Sequence, residues 1–257
     1  MTAHTGIHQR DTRTEPELAK TTLMNTASNQ SSADIDFHYW PTPNGQKVAI
    51  FLEEAHVSYK VKPVDIGKGV QFTADFEKLS PNNRMPAIVD RQLGISVFES
   101  GAILLYLADK SRQFIPDNPH GRAEVLQWLF WQVAGLGPIL GQTVFFQNYA
   151  SEKQPLAIER FARESKRLYT VLNTRLADRD YIATGYSIAD MANFPWVSQH
   201  TAQGISLDEF PHVAEWLDRV GTRPAVQRAY ALGEAVRPSH LTDAHRKQLY
   251  GQGAKAA

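Results

Sequence analysis

A chain of 257 residues has room for two ordinary domains, and its 42% hydrophobic and 10% aromatic content supplies a sizeable core. The 27 basic and 27 acidic residues cancel, which removes the electrostatic case for nucleic acid or an anionic membrane surface as a partner. There is no cysteine, so disulfides, thiolate metal sites and a cysteine nucleophile are excluded, and any sulfur chemistry must use a borrowed sulfur.

Residues 1–33 are rich in Thr, Ser, Asn and Gln without a sustained apolar period, which predicts a disordered tail. No apolar h-region is present there, and no apolar run approaches the roughly 18 residues of a membrane span. The expectation is therefore a cytoplasmic protein that does not enter a membrane. Ile35–Trp40 reads as a short strand, and Thr42-Pro43-Asn44-Gly45 as a loop opening a helix in which Val48, Phe51, Leu52 and Ala55 recur. Tyr59, Val61 and Val64 suggest a second strand, followed by a short polar helix near Ala74–Lys78. Met85–Val89 and Ile95–Phe98 read as a hairpin, and Ser100–Ser111 as a helix with Ile103, Leu104 and Leu107 on its apolar face. The order strand, helix, strand, helix, strand, strand, helix predicts an α/β sandwich with one parallel pair and antiparallel edge strands over 34–113. A Pro/Asn/Gly-rich linker over 114–121 ends the strand signals. Helical periods follow at Arg122–Ala150, Pro155–Asp178, Ser187–Ala202, Pro211–Val220 and Pro224–Leu232, predicting an all-helical domain over 122–236. A weakly ordered tail is expected over 237–257.

Two strand-to-helix junctions carry candidate chemistry. At Pro41–Gly45 the prolines stiffen the loop and Asn44 is a good helix cap. A helix N-terminus with the Thr42 hydroxyl and Asn44 amide beside it also suits an anion such as a thiolate. At Phe98–Leu104, Glu99 and Ser100 make an ordinary helix start. They can equally read an amino acid, Glu99 taking its ammonium and Ser100 with the helix N–H groups its carboxylate. Between these junctions, a cis Met85–Pro86 bond would turn the Met85 backbone outward to pair with a peptide. The spacing His-Glu-x-x-His is absent, so no metal is expected. Ser187-Ile188-Ala189-Asp190 resembles a capping box. Trp128, Phe130, Trp131, Phe145 and Phe146 are expected to be mostly core, a minority lining a second-substrate pocket or a subunit interface.

Together, the Thr-Pro-Asn-Gly loop, Ser80-Pro81-Asn82-Asn83-x-Met85-Pro86-Ala87 and Glu99-Ser100-Gly101-Ala102-Ile103 resemble the N-terminal domain of glutathione transferases. The likeness runs from about Ile35 to Leu232. Asp65–Phe72 and Leu126–Pro138 narrow it to the nu-class, disulfide-bond-oxidoreductase branch. That resemblance implies a thioredoxin-like domain followed by a helical one, glutathione as bound co-substrate, a homodimer, and a small-molecule disulfide or electrophile as second substrate. It places Thr42 and Asn44 at the glutathione sulfur, Gln71 and Met85 along the tripeptide, and Glu99 and Ser100 at its γ-glutamyl end. Arg160 is placed as a contact from the helical domain. Tyr39 is the rival to Thr42, because many transferase classes use a tyrosine hydroxyl at this strand end. The implied activity is glutathione-dependent disulfide reduction. Conjugation or hydroperoxide reduction on the same site is the alternative, and a glutathione-binding regulatory protein a third reading.

Overall fold

The computed structural model describes residues 33–236. The two predicted tails lie outside them apart from Ala33, which is buried. Strand β1 (Ile35–Tyr39) alternates as expected, with Ile35, Phe37 and Tyr39 buried and Asp36 and His38 half-buried. It runs parallel to β2 (Tyr59–Pro63) and antiparallel to β3 (Ala87–Asp90), which pairs with β4 (Ile95–Phe98). The sheet order β2-β1-β3-β4 is the sandwich that the element order predicts.

Helix α1 (Pro43–Glu54) crosses between β1 and β2, and α2 (Ala74–Leu79) precedes β3. The β4 strand leads directly into α3 (Ser100–Ser111). All residues of α1 from Gly45 to Leu52 are buried, because α3, α7 (Ile188–Val197) and α9 (Pro224–Val236) all pack on it. One contiguous core thus runs from Ile35 through Val48 and Leu136 to Leu232, joining the sandwich to the helical domain. Arg223 adds a two-pronged ion pair to Glu54 at 2.6 and 3.0 Å across that boundary.

The remaining helices are α4 (Pro119–Trp131), α5 (Gly137–Val144), α6 (Pro155–Leu176) and α8 (Pro211–Gly221). Helix α4 starts inside the predicted linker, since Asn118 caps it and Pro119 takes the first turn, where a missing N–H is harmless. It continues through π-turns at Gln132–Leu136 and Phe145–Tyr149, with α5 between them. Such turns rotate the following residues relative to a straight helix. The 31-residue stretch Pro119–Tyr149 is long and apolar enough to cross a bilayer, contrary to the sequence expectation. In this fold α4 packs on α7, and α5 on α6 and α7.

Two further boundaries shift. Helix α7 ends at Val197, short of Ala202, with Pro195 in its last turn and a 3₁₀ turn after it. Helix α9 runs past Gly233, which serves close approach rather than termination: a Cβ there would lie 2.6 Å from Gln46 Nε2 and 3.0 Å from the Tyr39 hydroxyl. The capping box at Ser187 is formed in full. Its Asp190 is completely buried and accepts from the Ile182 and Ser187 N–H groups and the Trp216 indole.

Candidate functional site

Two cavities of about 480 and 190 Å³ lie where the sandwich meets the helical domain. Both are lined by Asn44, Arg84, Met85 and Trp196, so they meet along one cleft. The larger continues to Glu99 and Ser100 and the smaller to Thr42 and Gln71. Six of the seven residues that the resemblance places around glutathione therefore converge. Arg160 does not: it is exposed on α6 and lines neither cavity.

At the join, the capping residue of α1 is Thr42, whose hydroxyl accepts the Gly45 N–H at 3.2 Å. The expected cap, Asn44, is instead the second residue of the helix, because Pro43 favours the first helical position and pushes the cap to the residue before it. The Thr42 hydroxyl donates to the sulfur of Met85 at 3.4 Å, so its proton already points at a soft acceptor in the cleft. The Asn44 amide oxygen accepts from the Trp196 indole N–H at 3.0 Å, which leaves its NH₂ group for the cleft. Tyr39 is fully buried with its ring tilted against Phe37, and it lines neither cavity.

The Met85–Pro86 bond is cis, as expected, and Met85 is nearly buried. Gln71 lies in a 3₁₀ turn and donates to the Ile66 carbonyl at 3.3 Å. Its side-chain oxygen is buried without a hydrogen-bond partner. Such a group is costly to bury alone and is suited to receive a ligand N–H.

At the other end, Glu99 is the capping position of α3 and Ser100 its first residue, one place later than an ordinary Ser cap. Glu99 has φ of 69° and ψ of 117°, a geometry that disfavours any side chain, and its carboxylate makes no capping bond. Helix formation alone therefore does not account for a glutamate here. The N–H groups of α3 and the Ser100 hydroxyl stand beside it.

Three residues of this site carry no local signature. Lys47 is fully buried, donates to Ser100 Oγ at 3.2 Å and Gln132 Oε1 at 2.5 Å, and lines the larger cavity. Burial pushes its ammonium down to about 7, with the Glu99 charge opposing. The Gln132 amide nitrogen is buried without a partner. Trp196 is the aromatic common to both cavities, and Phe72 also lines the smaller one. Of the five aromatics expected to be mostly core, Trp128 and Trp131 pack partly buried against it, Phe145 and Phe146 are half-buried, Phe130 is 59% exposed, and none lines either cavity.

Lys47 makes a testable contribution to pH dependence. The unfolded lysine holds its proton up to about 10.4 but the folded one only to about 7. Between these values the unfolded chain binds more protons, so stability rises with pH across that window and is lost as pH falls through 7. Urea midpoints measured from pH 7 to 9 are expected to climb more steeply for the wild type than for Lys47→Met. Parallel slopes would show that the lysine stays charged in the fold.

The chain matches two family models, "Glutathione S-transferase, N-terminal domain" over residues 35–109 and "Glutathione S-transferase, C-terminal domain" over residues 140–224. It is 49% identical over 201 residues to the disulfide-bond oxidoreductase YfcG of Escherichia coli K12, covering 76% of this chain and 94% of that protein. A glutathione transferase family member from Pseudomonas fluorescens, solved with two glutathione bound, superposes with a TM-score of 0.73 at 37% identity, covering 80% of this chain and 97% of that one. A glutathione transferase from Pseudomonas putida, solved with one glutathione disulfide per subunit, gives a TM-score of 0.73 at 36% identity, covering 87% and 99%.

Proposed function

The chain belongs to the glutathione S-transferase family, and we propose that it is a glutathione-dependent disulfide reductase whose nucleophile is the sulfur of the bound tripeptide. The observation that carries this reading is the Asn44 donor at the join of the cleft with the Thr42 hydroxyl beside it in the smaller cavity, in a chain without cysteine. The γ-glutamyl group lies in the larger cavity, its ammonium on Glu99 and its carboxylate on Ser100 and the α3 N–H groups. The cysteinyl backbone runs along Met85, and Gln71 receives an N–H towards the glycine end. We leave Arg160 out of this contact set.

A free thiol titrates near about 8.5, and each unit of depression needs about 1.4 kcal/mol of preference for the anion. A helix N-terminus supplies about 0.3–1 kcal/mol and a charge-assisted hydrogen bond about 1.5–3 kcal/mol. Thr42, Asn44 and α1 together therefore suffice for a shift of one to two units. The thiolate attacks one sulfur of a small disulfide, forming a mixed disulfide and expelling the other sulfur as a thiolate, which takes up a proton. A second glutathione thiolate attacks the glutathione sulfur of the mixed disulfide, giving glutathione disulfide and the second free thiol. Two glutathione thiols thus supply the two electrons. The relatives solved with two glutathione, or with glutathione disulfide, hold the reactant and product forms of that cycle.

The protein works as a cytoplasmic homodimer in this reading. Ile95 and Phe98 on the edge strand β4 and Phe130 on α4 are large, exposed apolar side chains of the kind an interface covers.

The Glu99 assignment has a direct test. Glu99→Gln removes one charge from the pair with the ligand ammonium. Because such bonds contribute about 1.5–3 kcal/mol, glutathione affinity is expected to fall about ten- to a hundredfold. Calorimetric titration of the folded variant measures this, and unchanged affinity would take the γ-glutamyl end away from Glu99.

A further inference from the structure

We propose that Trp196 is a positioning residue for the sulfur site: its indole N–H holds the Asn44 amide with the oxygen turned away and the NH₂ group presented to the ligand sulfur. This rests on the reading above that Asn44 stands at that sulfur.

The two ends of an asparagine amide have opposite effects on an anion. The NH₂ group donates and stabilises a thiolate, whereas the oxygen only accepts and repels it. The two orientations occupy nearly the same volume, so the shape of the cleft does not choose between them. The indole does. It is a donor with no acceptor, and at 3.0 Å it fixes the oxygen as the end that faces Trp196. The same bond polarises the amide and strengthens its NH₂ group as a donor.

Trp196 is itself held from two sides. Its ring lies against Gly137 and Gly141, one turn apart on α5. A Cβ on Gly137 would lie 3.5 Å from the indole nitrogen, and one on Gly141 3.4 Å from the ring edge. At Gly137 even a methyl would meet Gln132 Nε2 at 2.7 Å, and at Gly141 a side chain larger than a methyl would press on the ring. Behind it, the Trp196 carbonyl accepts from Gln203 Nε2 at 2.7 Å, and Gln203 Oε1 accepts from the Tyr169 hydroxyl at 2.8 Å. Gln203 and Tyr169 are both buried. Hydrogen bonds to the backbone and to the ring of Trp196 therefore link the core of the helical domain to the first turn of α1, joining residues 152 apart in sequence. The helical domain thereby sets the orientation of a donor in the other domain.

The test is the ionisation of bound glutathione, followed as thiolate ultraviolet absorbance against pH on the full-length protein saturated with ligand. In the wild type the bound thiol is expected to titrate below the free one. Trp196→Phe keeps a ring and removes the N–H. It is expected to shift that titration upward by about half to one unit, roughly a three- to tenfold fall in the thiolate-to-thiol ratio at a given pH. Asn44→Ala is expected to shift it at least as far, and adding Trp196→Phe to Asn44→Ala to shift it no further. A purely structural tryptophan would give additive shifts or none. Asn44→Asp serves where Trp196→Phe does not fold: it keeps the acceptor for the indole, removes the NH₂ donor, and is expected to raise the thiol pKa. An unshifted titration in Trp196→Phe, equal shifts in both backgrounds, or a thiol still depressed in Asn44→Asp would overturn the positioning role. A wild-type thiol titrating like free glutathione would instead overturn the sulfur-site reading beneath it.

Discussion

Thr42→Ala is expected to lower kcat/KM for glutathione-dependent disulfide reduction at least tenfold, a loss of about 1.4 kcal/mol of transition-state stabilisation. The Thr42 oxygen already accepts the Gly45 N–H, so its own proton is left to donate, and it points at the Met85 sulfur. A bound thiolate is a far better acceptor than a thioether, and the proton turns to it. Thr42→Ser keeps that hydroxyl and is expected to keep most of the activity. Tyr39→Phe is expected to change little, because Tyr39 is buried within the core, away from both cavities. Loss of the cap also removes about 1 kcal/mol of stability, so rates must be compared well below the variant's melting temperature. A tenfold loss in Tyr39→Phe with Thr42→Ala unaffected would move the activating hydroxyl to Tyr39.

Asp190→Ala is expected to be the most destabilising single change in the helical domain, by about 3–5 kcal/mol. The carboxylate accepts two backbone N–H groups and an indole N–H at 2.9–3.0 Å in a site closed to water, and truncation leaves all three without a partner. A domain of ordinary stability has only about 5–15 kcal/mol in total. Burial also pushes the Asp190 carboxyl up to about 6, against the opposing pull of its donors. A raised carboxyl contributes stability that is complete below its unfolded value near 3.9 and is lost as pH rises through 6. The wild type therefore gains about 1 kcal/mol from this group between pH 7 and pH 5, and the deficit of Asp190→Ala widens by that amount. Denaturant unfolding at the two pH values checks both statements. A deficit under 1 kcal/mol, or one that narrows at pH 5, contradicts them.

Much of the fold is legible in the sequence because its signals are local. Ile35, Phe37 and Tyr39 alternate, Val48, Phe51 and Leu52 recur at helical spacing, and Pro and Asn punctuate the joints. The cap of α1 was legible in principle too, since a proline at the first helical position assigns the cap to Thr42 rather than Asn44. The candidate site was legible where it lies on strand-to-helix junctions, which is why Thr42, Asn44, Glu99 and Ser100 stand out. Lys47, Gln132 and Trp196 carry no such sign. Each sits in a helix like any other residue and acquires its environment only when chain segments 53 to 152 residues apart meet. The apolar run of α4 and α5 misled for the opposite reason. Its period marks a helix, but two π-turns change which side chains face the cleft. Of the aromatics of that run, Trp128 and Trp131 pack partly buried against the core and none lines the cleft, where a tryptophan from α7 stands instead.

The central claim is that the borrowed sulfur of glutathione performs disulfide exchange in this cleft. The most direct measurement is steady-state turnover of the purified protein with glutathione and bis(2-hydroxyethyl) disulfide, set beside the same preparation with 1-chloro-2,4-dinitrobenzene and with cumene hydroperoxide. Saturable, glutathione-dependent disulfide reduction that is lost in Thr42→Ala and exceeds turnover of the other two substrates is the expected result. Disulfide reduction no faster than the uncatalysed exchange, with either other substrate turned over efficiently, would contradict it.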